Sequence, residues 1–327
     1  MKLRHSVLLA LLTFVLMPGC KSVLTGNEGN LEFTYPADDR VADFNKPIAV
    51  GAKLELEVRD AGSRKAVSLT SASTEDDSVL RVVSFSGSKL ILEGVSSGGT
   101  LVLVEANTTG GALGDSVNML ARVPEVMKLA NTCVTEASAQ YLTGQDIIIP
   151  YDFEMSNGQP VIGFGYFPIT LEPATGMTLD TTSVDQQWFH FTTGATAQNV
   201  TLSNSIDSTT LTLELVEVGS VDGGMLQLDS LLPAEVGKKR ALYVLPTANG
   251  RPICQAQTDY SVVTDSPEVC TVTAIVAPDT ADLGVAKEFG WLEVEGLTAG
   301  TCNFTVTYTE GAAGVGASSA LAVPVNP

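Results

Sequence analysis

Val50-Gly51-Ala52-Lys53-Leu54-Glu55-Leu56, Thr143-Gly144-Gln145-Asp146-Ile147-Ile148-Ile149 and Val236-Gly237-Lys238-Lys239-Arg240-Ala241-Leu242 are three versions of one short pattern, with glycines spaced 93 and 93 residues apart. Each glycine is followed by an apolar strand and then by turn residues: Asp60-Ala61-Gly62, Ser156-Asn157-Gly158 and Ala248-Asn249-Gly250. Asn-Gly favours the positive φ angles of a tight hairpin, so two of the turns carry the strongest short-range hairpin signal. Equal spacing with equal local pattern means three copies of one module.

The modules are β throughout. Lys53-Leu54-Glu55-Leu56-Glu57-Val58, Leu211-Thr212-Leu213-Glu214-Leu215 and Cys302-Asn303-Phe304-Thr305-Val306-Thr307-Tyr308 alternate polar and apolar residues, the period of a strand with one buried face. No long segment after Cys20 holds a helical period. About 93 residues per module, with short strands divided by turn residues, is the size of an immunoglobulin-like sandwich.

Before the first module, Lys2, Arg4 and His5 make a basic start, and residues 6–17 are an almost unbroken apolar run. Twelve residues are too few to cross a bilayer as a helix, which takes roughly 20. A basic start, a short apolar core and a small residue before the cut describe a secretory signal. Leu16-Met17-Pro18-Gly19-Cys20 resembles the lipobox of bacterial lipoproteins, fitting at Leu16 and Gly19 and departing at Met17 and Pro18. The resemblance implies cleavage before Cys20 and a diacylglycerol on its thiol. Lipoproteins carry three acyl chains, and two or more anchor a protein stably. In enteric bacteria an aspartate after that cysteine is an inner-membrane retention signal; Lys21 stands there, which implies the outer membrane. Without residues 1–19 the chain has 16 basic against 37 acidic residues, a net charge of −21, which repels nucleic acid and anionic lipid surfaces. With 44% hydrophobic residues it has ample material for cores.

Two further motifs resemble a known family. Asp77-Ser78-Val79-Leu80-Arg81-Val82 is followed by Glu93-Gly94-Val95-Ser96-Ser97-Gly98-Gly99-Thr100-Leu101-Val102-Leu103, and Asp265-Ser266-Pro267-Glu268-Val269-Cys270-Thr271-Val272 by Glu295-Gly296-Leu297-Thr298-Ala299-Gly300-Thr301-Cys302-Asn303-Phe304. These resemble the group 2 bacterial Ig-like domain of invasin and intimin adhesins, over residues 260–310 and 75–105; in the middle module only the first strand and turn match. The resemblance implies an all-β chain of three tandem Ig-like β-sandwich modules behind a lipoprotein signal peptide. The expected organisation is a signal peptide over 1–19, lipidated Cys20 with its tether over 20–30, and modules over 31–124, 125–219 and 220–327. Aligning the motifs sets Cys270 at the place of Leu80 and Cys302 at that of Leu101, two apolar-face positions, which implies a disulfide in an exported protein. Cys133 and Cys254 remain once Cys20 carries lipid; they belong to different modules, and their bond would tie the second to the third.

Catalysis has few candidates. Outside the signal the chain has one histidine, His190, in Gln186-Gln187-Trp188-Phe189-His190-Phe191. Alternation sets Trp188 and His190 on one strand face and Phe189 and Phe191 on the other. A Ser-His-Asp or Cys-His site would have to use His190. No P-loop, dinucleotide fingerprint or paired zinc-ligand spacing occurs, so no enzyme is expected. Calcium is the one cofactor the acidic residues suggest, at Asp38, Asp39 and Asp43 before the first module and at Glu75, Asp76 and Asp77 within it, since hard cations take several oxygens; short acidic runs are also ordinary solvated loops. The aromatics of the middle module, Trp188, Phe189, Phe191, Tyr166 and Phe167, are either its core or a surface for sugar rings or a protein partner. The expected function is thus a non-enzymatic envelope lipoprotein, held to the membrane by its lipid, that presents Ig-like modules for adhesion, binding or structural spacing. The alternative is a carbohydrate-binding or accessory subunit of an envelope or secretion complex, with Trp188 and His190 as ligand-binding residues.

Overall fold

The computed structural model describes residues 23–34, 46–108, 110–131, 140–182, 187–226, 232–257, 259–275, 290–308 and 316–327. The signal segment, Cys20, Asp38, Asp39, Asp43 and Cys133 lie outside the described residues. The first sandwich holds β1 (Val23–Thr25), β2 (Leu31–Thr34), β3 (Ile48–Ala49), β4 (Lys53–Asp60), β5 (Ser68–Thr74), β6 (Leu80–Ser86), β7 (Lys89–Gly94), β8 (Gly98–Thr108) and β9 (Gly111–Arg122). The second holds β10 (Val126–Leu129), β11 (Gln140–Leu142), β12 (Asp146–Glu154), β13 (Pro160–Val161), β14 (Ile169–Glu172), β15 (Met177–Asp180), β16 (Trp188–Thr193), β17 (Gln198–Asn204) and β18 (Thr210–Val216). The third holds β19 (Gly223–Leu226), β20 (Ala234–Glu235), β21 (Lys239–Ala248), β22 (Arg251–Pro252), β23 (Tyr260–Thr264), β24 (Cys270–Ala274), β25 (Trp291–Gly296), β26 (Gly300–Tyr308) and β27 (Ser318–Asn326).

All three share one topology. One sheet runs β2-β4-β7-β6, β10-β12-β16-β15 or β19-β21-β25-β24; the other runs β3-β9-β8-β5, β11-β18-β17-β14 or β20-β27-β26-β23. This is the ABED and CFG arrangement of the immunoglobulin sandwich, with a short extra strand beside the last one. That extra strand is parallel to its neighbour each time, β3 to β9, β11 to β18 and β20 to β27. The alternation read in the sequence is the cause: in β4, Leu54, Leu56 and Val58 are buried while Glu55 and Glu57 face outward. The chain is all-β with three tandem Ig-like sandwiches.

The repeated glycine has a definite task. Gly51, Gly144 and Gly237 have φ of 86°, 70° and 74°, in the left-handed region. Each donates its N–H to the carbonyl of a second glycine just where the third strand of the first sheet ends: Gly51 to Gly94 at 2.8 Å, Gly144 to Gly194 at 3.1 Å and Gly237 to Gly296 at 2.8 Å. A Cβ on Gly94 would lie 2.4 Å from the Ala49 carbonyl oxygen, and one on Gly296 2.6 Å from that of Glu235. The Asn-Gly turns divide. Asn249 (φ 52°) and Gly250 (φ 69°) make a two-residue hairpin between paired Ala248 and Arg251, as expected. At Asn157-Gly158 only Gly158 is left-handed; Met155 pairs with Gln159, so the loop has three residues, and Asn157 Oδ1 accepts the Gln159 N–H.

One expectation from the sequence alignment is corrected. Thr74 pairs with Val102 and Thr264 with Phe304, so Cys302 corresponds to buried Thr100, and Leu101 points out of the sheet. The alignment was one residue off, and in a strand one residue is the difference between core and surface. Cys270 does correspond to Leu80: their N–H groups donate to the Ser266 and Asp76 carbonyls in matching turns.

By contact density the described residues form two compact units. One comprises Glu55–Leu92, Gly99–Leu120 and the described part of Met1–Lys46; the other comprises Pro47–Leu54, Glu93–Gly98 and the described part of Ala121–Pro327. In the first unit, β1 pairs with β2, so the stretch expected as tether contains an edge strand from Val23 onward. The turn between them is fastened by Asp115, which is 5% exposed. Its Oδ1 accepts the N–H groups of Glu28 (2.9 Å) and Ser116 (2.8 Å), and its Oδ2 those of Asn30 and Leu31 (2.8 Å each). Gly26 leaves room for it, since a Cβ there would lie 2.2 Å from the Asp115 carboxyl carbon. Burial pushes the Asp115 pKa up, but hydrogen bonding by Glu28 and by the N–H groups of Leu31 and Ser116 outweighs it and holds the carboxyl below its usual range. In the second unit, Tyr151, Phe153, Phe167, Phe189 and Phe191 build a core of edge-on and tilted rings, with Tyr151 and Phe189 centroids 4.6 Å apart.

Candidate functional site

Strand β16 divides its aromatics between two faces. Phe189 and Phe191 point into the second sandwich at 3% and 2% exposure, while Trp188 and His190 are half-buried on the outer face of the same strand. Register places Trp188 opposite Pro150, His190 between Ile148 and Asp180, and Thr192 between Asp146 and Thr178. Thr192 Oγ1 donates to Asp146 Oδ1 at 2.7 Å, and Asp180 Oδ1 accepts the Thr182 N–H and hydroxyl at 2.8 and 2.7 Å. One face of this sheet thus carries one indole, one imidazole and two carboxylates, with Ile148 buried among them. Phe167 belongs to the core, and Tyr166 is 49% exposed.

Among the described residues, none donates to or accepts from His190 Nε2, which is buried, so none of their hydroxyls or thiols is poised against that nitrogen. Among the described residues no group of three His, Cys, Asp or Glu side chains could hold a metal. Asp76 is occupied locally: its Oδ1 accepts the Ser78 N–H at 3.0 Å and hydroxyl at 2.6 Å and shapes the turn into β6, while Asp77 is exposed. A shallow groove of about 420 Å³ lies elsewhere on the second unit, lined by Gln198, Asn199, Glu214, Glu217, Ser220 and Asn249.

Cys270 and Cys302 form a disulfide with Cα atoms 5.6 Å apart, joining β24 in one sheet of the third sandwich to β26 in the other. Both are fully buried in that core. Cys254 is also disulfide-bonded and lies in the core of the second sandwich. Cys133, its expected partner, lies outside the described residues.

What sequence reasoning did not single out is a polar junction between the second and third sandwiches. Arg251 pairs with Glu214 at 2.8 Å, Glu214 also accepts from Gln140 Nε2 at 3.2 Å, and this contact with Arg251 holds the Glu214 carboxyl below its usual range. Gln255, 3% exposed, bonds to both main-chain groups of Ile148. The signal was the density of amides in Cys254-Gln255-Ala256-Gln257, three residues after an Asn-Gly turn, where a polar loop would need no buried partner.

No family model and no curated protein matches this sequence. Solved structures similar to it include the Escherichia coli adhesin FdeC, at 13% identity over 86% of this chain and 94% of that one, with a TM-score of 0.28. Invasin, a bacterial integrin-binding protein, matches at 13% identity over 92% of this chain and 60% of that one, TM-score 0.26. SGBP-B of a Bacteroides ovatus mixed-linkage glucan utilization locus, solved with a mixed-linkage heptasaccharide, matches at 11% identity over 86% and 65%, TM-score 0.30. At scores of this size the fold assignment rests on the strand order above.

Proposed function

We propose that this chain is an exported lipoprotein, anchored through Cys20, whose tandem Ig-like sandwiches present a binding or spacing surface at the bacterial envelope and carry out no catalysis. The observation that carries the reading is the repetition: one sandwich occurs three times, and the chain's one histidine after the signal is buried at Nε2 without a partner among the described residues. The sequence supports the anchor, with the basic start, the short apolar run and Gly19-Cys20 in order. Strand β1 begins at Val23, so a lipid on Cys20 would sit two residues from the fold. Metabolic labelling with palmitate, followed by membrane fractionation, tests this: the parent chain takes up label and sediments with outer membranes, and Cys20→Ser does neither. Label-free parent protein in the soluble fraction refutes the anchor.

A second reading, a glycan-binding subunit, is favoured by Trp188, whose side chain lies half-buried on the outer face of its sheet, opposite Pro150 and outside the core. Aromatic faces bind the apolar side of sugar rings. A glycan array probed with the mature chain and with Trp188→Ala separates the readings: binding lost in the variant supports a glycan reader, and no binding by the parent leaves protein partners or spacing.

A further inference from the structure

Strand β12 is paired unequally on its two sides. Along residues 146–150 it is bonded to β16, but on the other side β10 reaches only residues 151–154. A bare edge around Ile148, which is 3% exposed, would leave a main-chain donor and acceptor buried and unpaired. The third sandwich fills that gap. Gln255 Oε1 accepts the Ile148 N–H at 2.8 Å, and Gln255 Nε2 donates to the Ile148 carbonyl at 2.7 Å, so one side-chain amide takes the place of a strand residue. Gln145 and Gln257 lock in both directions: Gln145 Nε2 donates to the Gln257 carbonyl and Gln257 N–H to Gln145 Oε1, each at 3.0 Å. Cys254 donates its N–H to the Gln140 carbonyl at 2.8 Å and sits in the core of the second sandwich.

Two independent features point the same way. Gln255 has φ of 50°, a left-handed conformation that non-glycine residues hold only where their surroundings over-determine it. Elsewhere in the same compact unit the matching segment after β12 makes the equivalent bonds with main chain alone: Ile162 N–H to Pro47 O (2.9 Å), Ala49 N–H to Ile162 O (2.7 Å), and Lys53 and Phe164 exchanging both bonds (2.7 and 2.8 Å). The amide of Gln255 substitutes for such a strand.

We propose that residues 253–257 of the third sandwich are a structural part of the second, and that through them the two sandwiches unfold as one cooperative body. The two tryptophans make this measurable, because Trp188 lies in the second sandwich and Trp291 in the third. In the full chain with disulfides intact, Trp291→Phe reports the second sandwich by fluorescence and Trp188→Phe the third. The denaturant midpoints of these two single-tryptophan chains coincide. Adding Gln255→Ala separates them, the second sandwich unfolding first, and raises hydrogen exchange at the Ile148 amide by about tenfold or more. Gln257→Ala, a milder cut that keeps the main-chain bonds to Gln145 and removes only the Gln257 Nε2 bond to the Asp146 carbonyl at 3.3 Å, raises exchange of the Asp146 and Ile148 region in the same direction. Midpoints already separate in the parent background, or unchanged Ile148 exchange in Gln255→Ala, overturn the proposal.

Discussion

Asp115→Asn is the sharpest test of how the first unit is fastened. The parent carboxylate accepts four main-chain N–H groups at 2.8 to 2.9 Å, two on each oxygen. In the variant an NH2 group replaces one oxygen, so two of those donors face another donor. A hydrogen bond to a charged group contributes roughly 1.5–3 kcal/mol. Losing two gives about 3–6 kcal/mol, and because Glu28 is exposed and Asn30 only partly buried the lower figure, about 3 kcal/mol, is expected. The assay is native-state hydrogen exchange at Leu31 with urea unfolding of the same sample: Leu31 loses protection, and the turn of residues 26–30 becomes open to protease. The effect is linked to pH. The folded-state pKa of Asp115 is depressed, so its contribution is fully present above the unfolded value near ~3.9 and is lost as pH falls through the folded one. The variant lacks that acid-side loss. A destabilisation below about 1 kcal/mol, with Leu31 protection unchanged, would refute the reasoning.

Replacing both Cys270 and Cys302 by Ser removes a cross-link of sequence separation 32. The chain-entropy relation sets the cost at about 4 kcal/mol, read as a fall in the guanidinium midpoint followed at Trp291. Gly296→Ala forces a Cβ to within 2.6 Å of a carbonyl oxygen and 2.8 Å of Val325 Cγ1; overpacking of this kind costs about 1–3 kcal/mol, and an unchanged melting curve counts against a tight glycine pair. Arg251→Ala should cost little, below about 1 kcal/mol, because its ion pair with Glu214 has side chains 37% and 35% exposed. A larger loss in denaturant titration would mean that the pair supports the junction beyond its own contact.

Much of the fold was legible because it rests on features of period two and on left-handed turns. The glycines at 51, 144 and 237 marked the same corner in all three copies, and the alternation in β4, β18 and β26 gave the buried faces. The middle copy hid its second glycine, since Thr193-Gly194-Ala195-Thr196 shares only that one residue with Glu93-Gly94-Val95-Ser96. The hydrogen bond from Gly144 to Gly194 is a long-range fact that no local pattern encodes. The Leu101 slip has a similar origin: matching Gly99-Thr100 to Gly300-Thr301 opens a one-residue gap after Gly94, whereas Gly94 to Thr100 and Gly296 to Cys302 are the same six steps, and only strand pairing shows which side chain turns inward. Trp188 and His190 were placed on their face correctly, yet alternation is silent about what lies over a face. The glutamine junction escaped altogether because an amide that imitates a strand looks, in sequence, like a solvated loop.

The parallel pairing of β3 with β9, β11 with β18 and β20 with β27 bears on how these sandwiches respond to tension. Each short strand lies near the start of its sandwich and its partner at the end, pointing the same way, so pulling on the two ends slides one strand along the other. Their hydrogen bonds are then strained together in shear and are not peeled one by one. The pairing spans three residues in the second sandwich and two in each of the others, which places the first slip outside the second. Once the third gives way, the Cys270–Cys302 bond still bypasses the chain between its ends and withholds about 110 Å of contour from the extension.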